Sequence, residues 1–366
     1  MAHVVDRKSR SSALLDTALT RFSARIAPLV RAEVVGALVA ELERHFNEQL
    51  LSELHERVEA IVARELPRRV EEIIDHVLVT KQSQIIDSEG YRRRYRPNEI
   101  VAGSIAGEYM AASNALALDF FHPAYQEFCR ILKVPFQLHR KYWEWAFIYE
   151  RLNKVGVLRP GKRGLGFGVG IEKLPSFFAS LGAQIMATDA PVGQNWNRTG
   201  DISDHKNRLF DPGLIDREAF DGRVSFEYCD MNDIPSWLTD YDFCWSSCSF
   251  EHLGSLQHGI DFVVNSIERN LKVGGIACHT TELNLTSNEE TLETGVSVIY
   301  RKKDLEQLCR SLEERGHLVE PLRIEPGTMP PDYFVDVPPY LEDPHLKLLV
   351  GSYVTTSVGL VARRGR

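Results

Sequence analysis

The run Gly164-Leu-Gly-Phe-Gly-Val-Gly170 restricts the fold of this chain more than any other segment. A short apolar stretch, Arg163–Phe167, leads straight into it, and a helical stretch, Pro175–Leu181, follows. Glycines at a strand-to-helix turn let the backbone reverse tightly and approach a ligand at the N-terminal end of a helix. In an open parallel sheet such a turn lies at the carboxyl ends of the strands, where ligands bind near the switch in strand order. Taken alone, the turn suits NAD, FAD or a nucleotide sugar equally well.

Beyond Pro160 strands and helices alternate, which predicts an α/β fold with a mainly parallel sheet. The strand segments are Arg163–Phe167, Gln184–Asp189, Val224–Asp230, Asp242–Ser247, Ile276–Thr281, His317–Ile324 and Tyr353–Ala362. Helical segments include Ile260–Leu271 and Lys303–Arg315, and the last two strands have no helix of usual length between them.

Upstream the texture is different. Leu15, Leu19, Phe22, Ile26 and Leu29 repeat at heptad-like spacing, and the stripe resumes from Val35 to Val62 and again beyond Pro67. The other faces carry both Glu and Arg. The stripe predicts a coiled coil or helical hairpin joining subunits, against a bundle folded within one chain. Three regions follow: 1–90, a helical, coiled-coil oligomerisation region; 91–160, a helical lid and linker; and 161–366, the ligand-binding domain. The linker holds the basic run Tyr91–Pro97 and the aromatic cluster His139-Arg-Lys-Tyr-Trp-Glu-Trp-Ala146.

The chain has 366 residues and a net charge of −8, which argues against a non-specific nucleic-acid binder. Its six cysteines are scattered and form no CxxC pair, so neither a zinc site nor a disulfide framework is expected. The first residues lack the apolar core of a signal peptide, and no run approaches the roughly 18 apolar residues of a membrane span. A cytoplasmic protein without a membrane span is expected.

Three features narrow the ligand. The spacing is GxGxG, and Ile171 stands where the dinucleotide fingerprint needs its last glycine. Asp189 ends the second strand, where a carboxylate can accept both ribose hydroxyls of an adenosine. Asp230-Met231 ends the third strand, where an Asp can accept from an adenine amino group while apolar neighbours sandwich the ring. Each acidic residue alone reads equally well as a helix cap; placed at consecutive strand ends, they point to one ligand.

From about Leu158 onward the chain resembles the class I S-adenosylmethionine (SAM)-dependent methyltransferases. The resemblance rests on the GxGxG loop, Asp189, Asp230, the stretch Tyr241-Asp-Phe-Cys-Trp-Ser-Ser-Cys-Ser-Phe-Glu-His252 and the turn Leu271-Lys-Val-Gly-Gly275. It implies a seven-stranded sheet whose last strand is antiparallel, with SAM as cofactor. It further implies a SAM site built from Gly166, Phe167, Gly168, Gly170, Glu172, Asp189, Asp230, Met231 and Ser247. One position departs from the family pattern. Two residues before the first loop glycine, members carry an acidic residue that helps hold the methionine amino group; here it is Gly164. Glu172, or a residue of the Trp143-Glu-Trp145 region, is the expected substitute.

Methyl transfer is an in-line displacement that needs alignment and a lone-pair nucleophile. A hydroxyl acceptor usually needs a general base, and histidine has the suitable pKa. His252, after the fourth strand, is the expected base; Glu251 and Glu282 complete the catalytic candidates. His279 and Asn284 lie nearby, and Glu282 and Asn284 read as substrate ligands. No spacing demands a metal, and none is expected. Pro330-Pro-Asp-Tyr333 and Val337-Pro-Pro-Tyr340 are similar to a motif of amino-methylating enzymes, but that motif belongs directly after the fourth strand. They are read as a loop wall over the acceptor pocket, and nucleic acid is not an expected substrate. The texture of 139–145 and of the last strand also resembles bacterial methyltransferases of sugar or surface-polysaccharide synthesis, which implies a small-molecule or sugar acceptor. An N-methyltransferase or a catalytically inactive methyltransferase-like scaffold are the alternatives.

Overall fold

The computed structural model describes residues 107–190, 205–341 and 343–366. The heptad stripe and the basic run 91–97 lie outside the described residues. Everything below belongs to one compact unit, Gln84–Arg366.

Among the described residues the sheet has eight strands: β1 (Arg163–Phe167), β2 (Gln184–Asp189), β3 (Val224–Tyr228), β4 (Tyr241–Ser247), β5 (Leu271–Asn284), β6 (Leu318–Val319), β7 (Lys347–Val350) and β8 (Tyr353–Arg363). Their order is β3-β2-β1-β4-β5-β8-β6, and β7 pairs with β8 as a hairpin. The first five strands are parallel, and β8 runs antiparallel to β5. Order reverses between β1 and β4, which opens a crevice at their carboxyl ends. This is the mixed sheet expected of the class I methyltransferase fold, with β7 as an added strand. The expected strand at His317–Ile324 contracts to Leu318–Val319, because the chain then leaves the edge of the sheet and Arg323 and Glu325 bond instead to Ser113 and Asn114.

Among the described residues seven α-helices accompany it: α1 (Ala117–Phe120), α2 (Pro123–Leu132), α3 (Arg140–Lys154), α4 (Leu174–Ser180), α5 (Arg217–Arg223), α6 (Leu256–Asn265) and α7 (Lys302–Glu314). Strand alternation divides the core in two. Phe243 and Trp245 of β4 join the cluster that contains Trp143 and Phe147 of α3 and Phe178 of α4. Leu165, Phe167 and Cys244 face the other way and pack with Phe262 of α6 and Leu305 and Leu308 of α7. The helices ahead of β1 therefore share a core with the sheet. Burial of each large ring contributes roughly 1.5–3 kcal/mol.

Two glycines of β1 follow directly from this packing. Gly164 is in register with Phe243 and Gly166 with Trp245. A Cβ at Gly164 would stand 2.3 Å from the Phe243 ring, and one at Gly166 2.5 Å from that of Trp245. The same device seats α3: a Cβ at Gly359 of β8 would stand 2.1 Å from the Phe147 ring. With Phe147 on Gly359, the N-terminal turn of α3 comes to the carboxyl end of β5.

Candidate active site

The loop after β1 holds two glycines at positive φ, Gly168 (56°) and Gly170 (53°), a region where side chains are strained. A Cβ at Gly168 would stand 2.8 Å from Ser249, whose Oγ donates to the Gly168 carbonyl at 3.1 Å. Gly170 N donates to Asp189 Oδ2 at 2.9 Å, and Ala190 N donates to Oδ1 at 2.8 Å. Asp189 thus fixes the loop through both of its carboxylate oxygens. Asp230 accepts from Asn232 N at 2.8 Å, beside the buried Met231. The structure therefore brings Gly168, Gly170, Asp189, Asp230 and Met231 to the carboxyl ends of β1, β2 and β3. Gly166 and Phe167 serve packing: one lies under Trp245, and the other stacks edge-on against Phe262 at 5.0 Å.

Glu172 is buried and accepts from Trp245 Nε1 at 2.7 Å. Burial pushes its carboxyl up to about 8, although the Trp245 hydrogen bond and Lys141 pull the other way. Glu172 is therefore largely neutral at pH 7.

Glu144 of α3 behaves oppositely. It is completely buried, and burial works to raise its pKa. Lys141 and Arg140, with hydrogen bonds from Ser357 and Cys248, outweigh that and hold it at about 2. Lys141 Nζ stands 3.1 Å and Ser247 Oγ 3.0 Å from Oε2. Cys248 Sγ at 3.1 Å and Ser357 Oγ at 2.5 Å donate to Oε1. Lys141 also donates to the Ser247 carbonyl at 3.2 Å. The spacing makes this possible: residues 140, 141 and 144 share one helix face.

At the end of β5, Glu282 forms an ion pair with Arg140 through Oε1. Its other oxygen, Oε2, is buried and has no hydrogen-bond partner. Leaving such a group unsatisfied costs roughly 1–3 kcal/mol. Glu251 accepts from Thr281 Oγ1 at 3.0 Å, and burial, with nearby Glu282, pushes its carboxyl upward. Cys248 Sγ and carboxylate oxygens of Glu251 and Glu282 lie within 4.8 Å of one another. As metal ligands they fit poorly. Burial pushes the Cys248 thiol well up, so it stays protonated, and the Arg140 guanidinium stands 3.4 Å from its sulfur.

His252 lies in a short 3-10 turn after β4, half-buried, with Nδ1 3.0 Å from the Val296 carbonyl. His279 is a core residue instead. It is buried between Ser246 Oγ (2.8 Å) and Ser266 Oγ (3.0 Å), and burial lowers its pKa to about 3. Asn284 binds its own loop through Glu290, Thr291, Thr286 and Ser287.

The loop before β7 adjoins the start of α3. Arg140 N donates to the His345 carbonyl at 2.9 Å, and the His139 and His345 rings stack at 4.5 Å. Asp336, completely buried, stands 2.6 Å from His345 Nδ1 and accepts from Leu341 N. Pattern reading gave no role to Cys248 and Ser357, which reach Glu144 only through tertiary packing.

No family model matches the chain, and no curated protein matches it. Solved structures resemble it at low identity. A SAM-dependent methyltransferase from Mesorhizobium loti is 13% identical, covering 59% of this chain and 97% of that one, with a TM-score of 0.37. Magnesium protoporphyrin IX methyltransferase from Synechocystis, solved with bound SAH, is 11% identical, covering 79% and 99%, with a TM-score of 0.35. A TehB-like SAM-dependent methyltransferase from Corynebacterium glutamicum is 13% identical, covering 67% and 97%, with a TM-score of 0.34.

Proposed function

We propose that this chain is a SAM-dependent methyltransferase acting on a hydroxyl of a small-molecule or glycan acceptor, sugar-related in class. The observation that carries the reading is the placement of the glycine loop, Asp189 and Asp230 at the carboxyl ends of three adjacent strands, beside the point where strand order reverses. The cradle fits an adenosine. Gly168 leaves no side chain between the loop and Ser249, and Asp189 stands at the end of β2, where a carboxylate can accept from ribose hydroxyls. Asp230 and Met231 suit the adenine edge and face.

When bound, SAM supplies an electrophilic methyl group on a sulfonium. The chain's own residues do the rest. Glu144, ionised and central, supplies the negative charge that Gly164 lacks, and Lys141 beside it suits the methionine carboxylate. Ser247 and the Ser249 turn line the end of β4. Neutral Glu172 accepts the Trp245 N–H without adding another buried anion. His252, in the turn after β4, is the proposed general base for the acceptor hydroxyl. Calorimetric titration with SAH tests the cofactor: no binding sinks the enzyme reading. Binding without turnover on any acceptor favours the scaffold alternative. Assembly through the 1–90 region and a cytoplasmic location belong to the same proposal. Among the described residues no helix is long and apolar enough to cross a membrane.

A further inference from the structure

The sheet register explains why Glu282 stands apart. Thr280 of β5 pairs with Ser247, the last residue of β4, so Thr281–Asn284 overhang the end of β4 into the crevice. Glu282 lies opposite Ser357 of β8, and Thr280 lies opposite Gly359, the residue on which Phe147 of α3 rests. Glu282 therefore projects to the α3 side, where Arg140, two turns before Phe147, meets its Oε1. The second oxygen is left buried and unpartnered. Among the described residues no other carboxylate oxygen is both buried and unpartnered.

Charge decides what that oxygen can hold. Arg140 already balances Glu282, and Lys141 balances Glu144. Burial, with nearby Glu282, pushes the Glu251 carboxyl upward, and the Cys248 thiol donates to Glu144. The second oxygen of the paired Glu282 is thus a spare hydrogen-bond acceptor beside the Arg140 guanidinium. A cation would be repelled by Arg140, whereas a neutral O–H donor meets no such cost.

We infer that Glu282 Oε2 is a binding point for a hydroxyl of the acceptor, which makes the acceptor a neutral, hydroxyl-bearing molecule such as a pyranoside, anchored through the Arg140–Glu282 pair. This rests on the methyltransferase reading and adds the acceptor's anchoring residue to it.

The test uses the full chain, isotope-labelled SAM and a panel of neutral methyl pyranosides. Wild-type protein is expected to label at least one of them. With that glycoside, Glu282→Gln is expected to raise KM tenfold or more and to change kcat less than threefold. Its SAH affinity should stay within twofold of wild type. Glu282→Asp, which keeps the charge beside Arg140 but withdraws the oxygen, should show the same KM defect. The double variant Arg140→Met/Glu282→Gln, with no buried charge left unpaired, guards against misfolding and should behave alike. An unchanged KM in all three variants overturns the inference, as does an absence of labelled pyranoside despite SAH binding. Stoichiometric Mn²⁺ or Zn²⁺ binding that Glu282→Gln abolishes also overturns it, since the oxygen would then be a metal ligand. Failure of wild-type protein to bind SAH marks the different case in which the cofactor reading itself is wrong.

Discussion

The ring of Phe243 stands where any side chain at residue 164 would have to go, 2.3 Å from a Cβ placed there. The position that carries an acid in the methyltransferases this chain resembles is therefore closed by an aromatic ring on the neighbouring strand. Gly164→Asp should destabilise the protein by roughly 3 kcal/mol or more, from overpacking and an unpaired buried carboxylate. Urea unfolding measures this; a loss under 1 kcal/mol would mean that the Phe243 ring yields easily.

Gly168 combines a positive φ with a close approach to Ser249. Gly168→Val should weaken SAH binding at least tenfold in calorimetry. Retained affinity would remove the loop from the cofactor site.

His252→Ala should leave SAH affinity within twofold of wild type while lowering turnover about 10²-fold or more, the usual scale of general-base catalysis. Full turnover in this variant would assign the proton to another group.

Glu172 gives a pH signature. Its folded pKa of about 8 lies above the ordinary carboxyl value, so the native state holds this proton more tightly than the unfolded chain does. Its stabilising contribution is full below about pH 4.5 and is lost as pH rises through 8, at up to about 1.4 kcal/mol per pH unit. Wild-type stability should therefore fall more than that of Glu172→Gln between pH 5.5 and 8.5. Parallel urea midpoints across that range would show that Glu172 is ionised in the native state.

Deleting residues 1–85 should turn an oligomer into monomers, because the heptad stripe spans that segment. An unchanged mass by light scattering refutes a role in assembly.

Local pattern and spacing went far toward this architecture. β1 and β2 have the bounds that alternation and turn residues predict, and β4 and β8 begin or end one residue away. Those signals are local: a strand's period and a glycine's freedom are written in neighbouring residues. Asp189 and Asp230 were legible for the same reason, since a strand end marks the crevice. The helix that sets the polar cluster was legible as an aromatic stretch whose Trp143-Glu-Trp145 region could substitute for the acid missing at Gly164.

What tertiary structure alone decided is who meets whom. No spacing joins Arg140 to Glu282, 142 positions along the chain, or Ser357 to Glu144; the overhang of β5 beyond β4 and the seat of Phe147 on Gly359 do. Nor does sequence separate His279, enclosed by two serines in the core, from His252 at the rim. The sequence determined the strands, the loop and the ends where chemistry gathers, because these follow from short-range backbone preferences. Packing determined the charges, because burial and pairing are set by residues that are far apart in the chain and close in space.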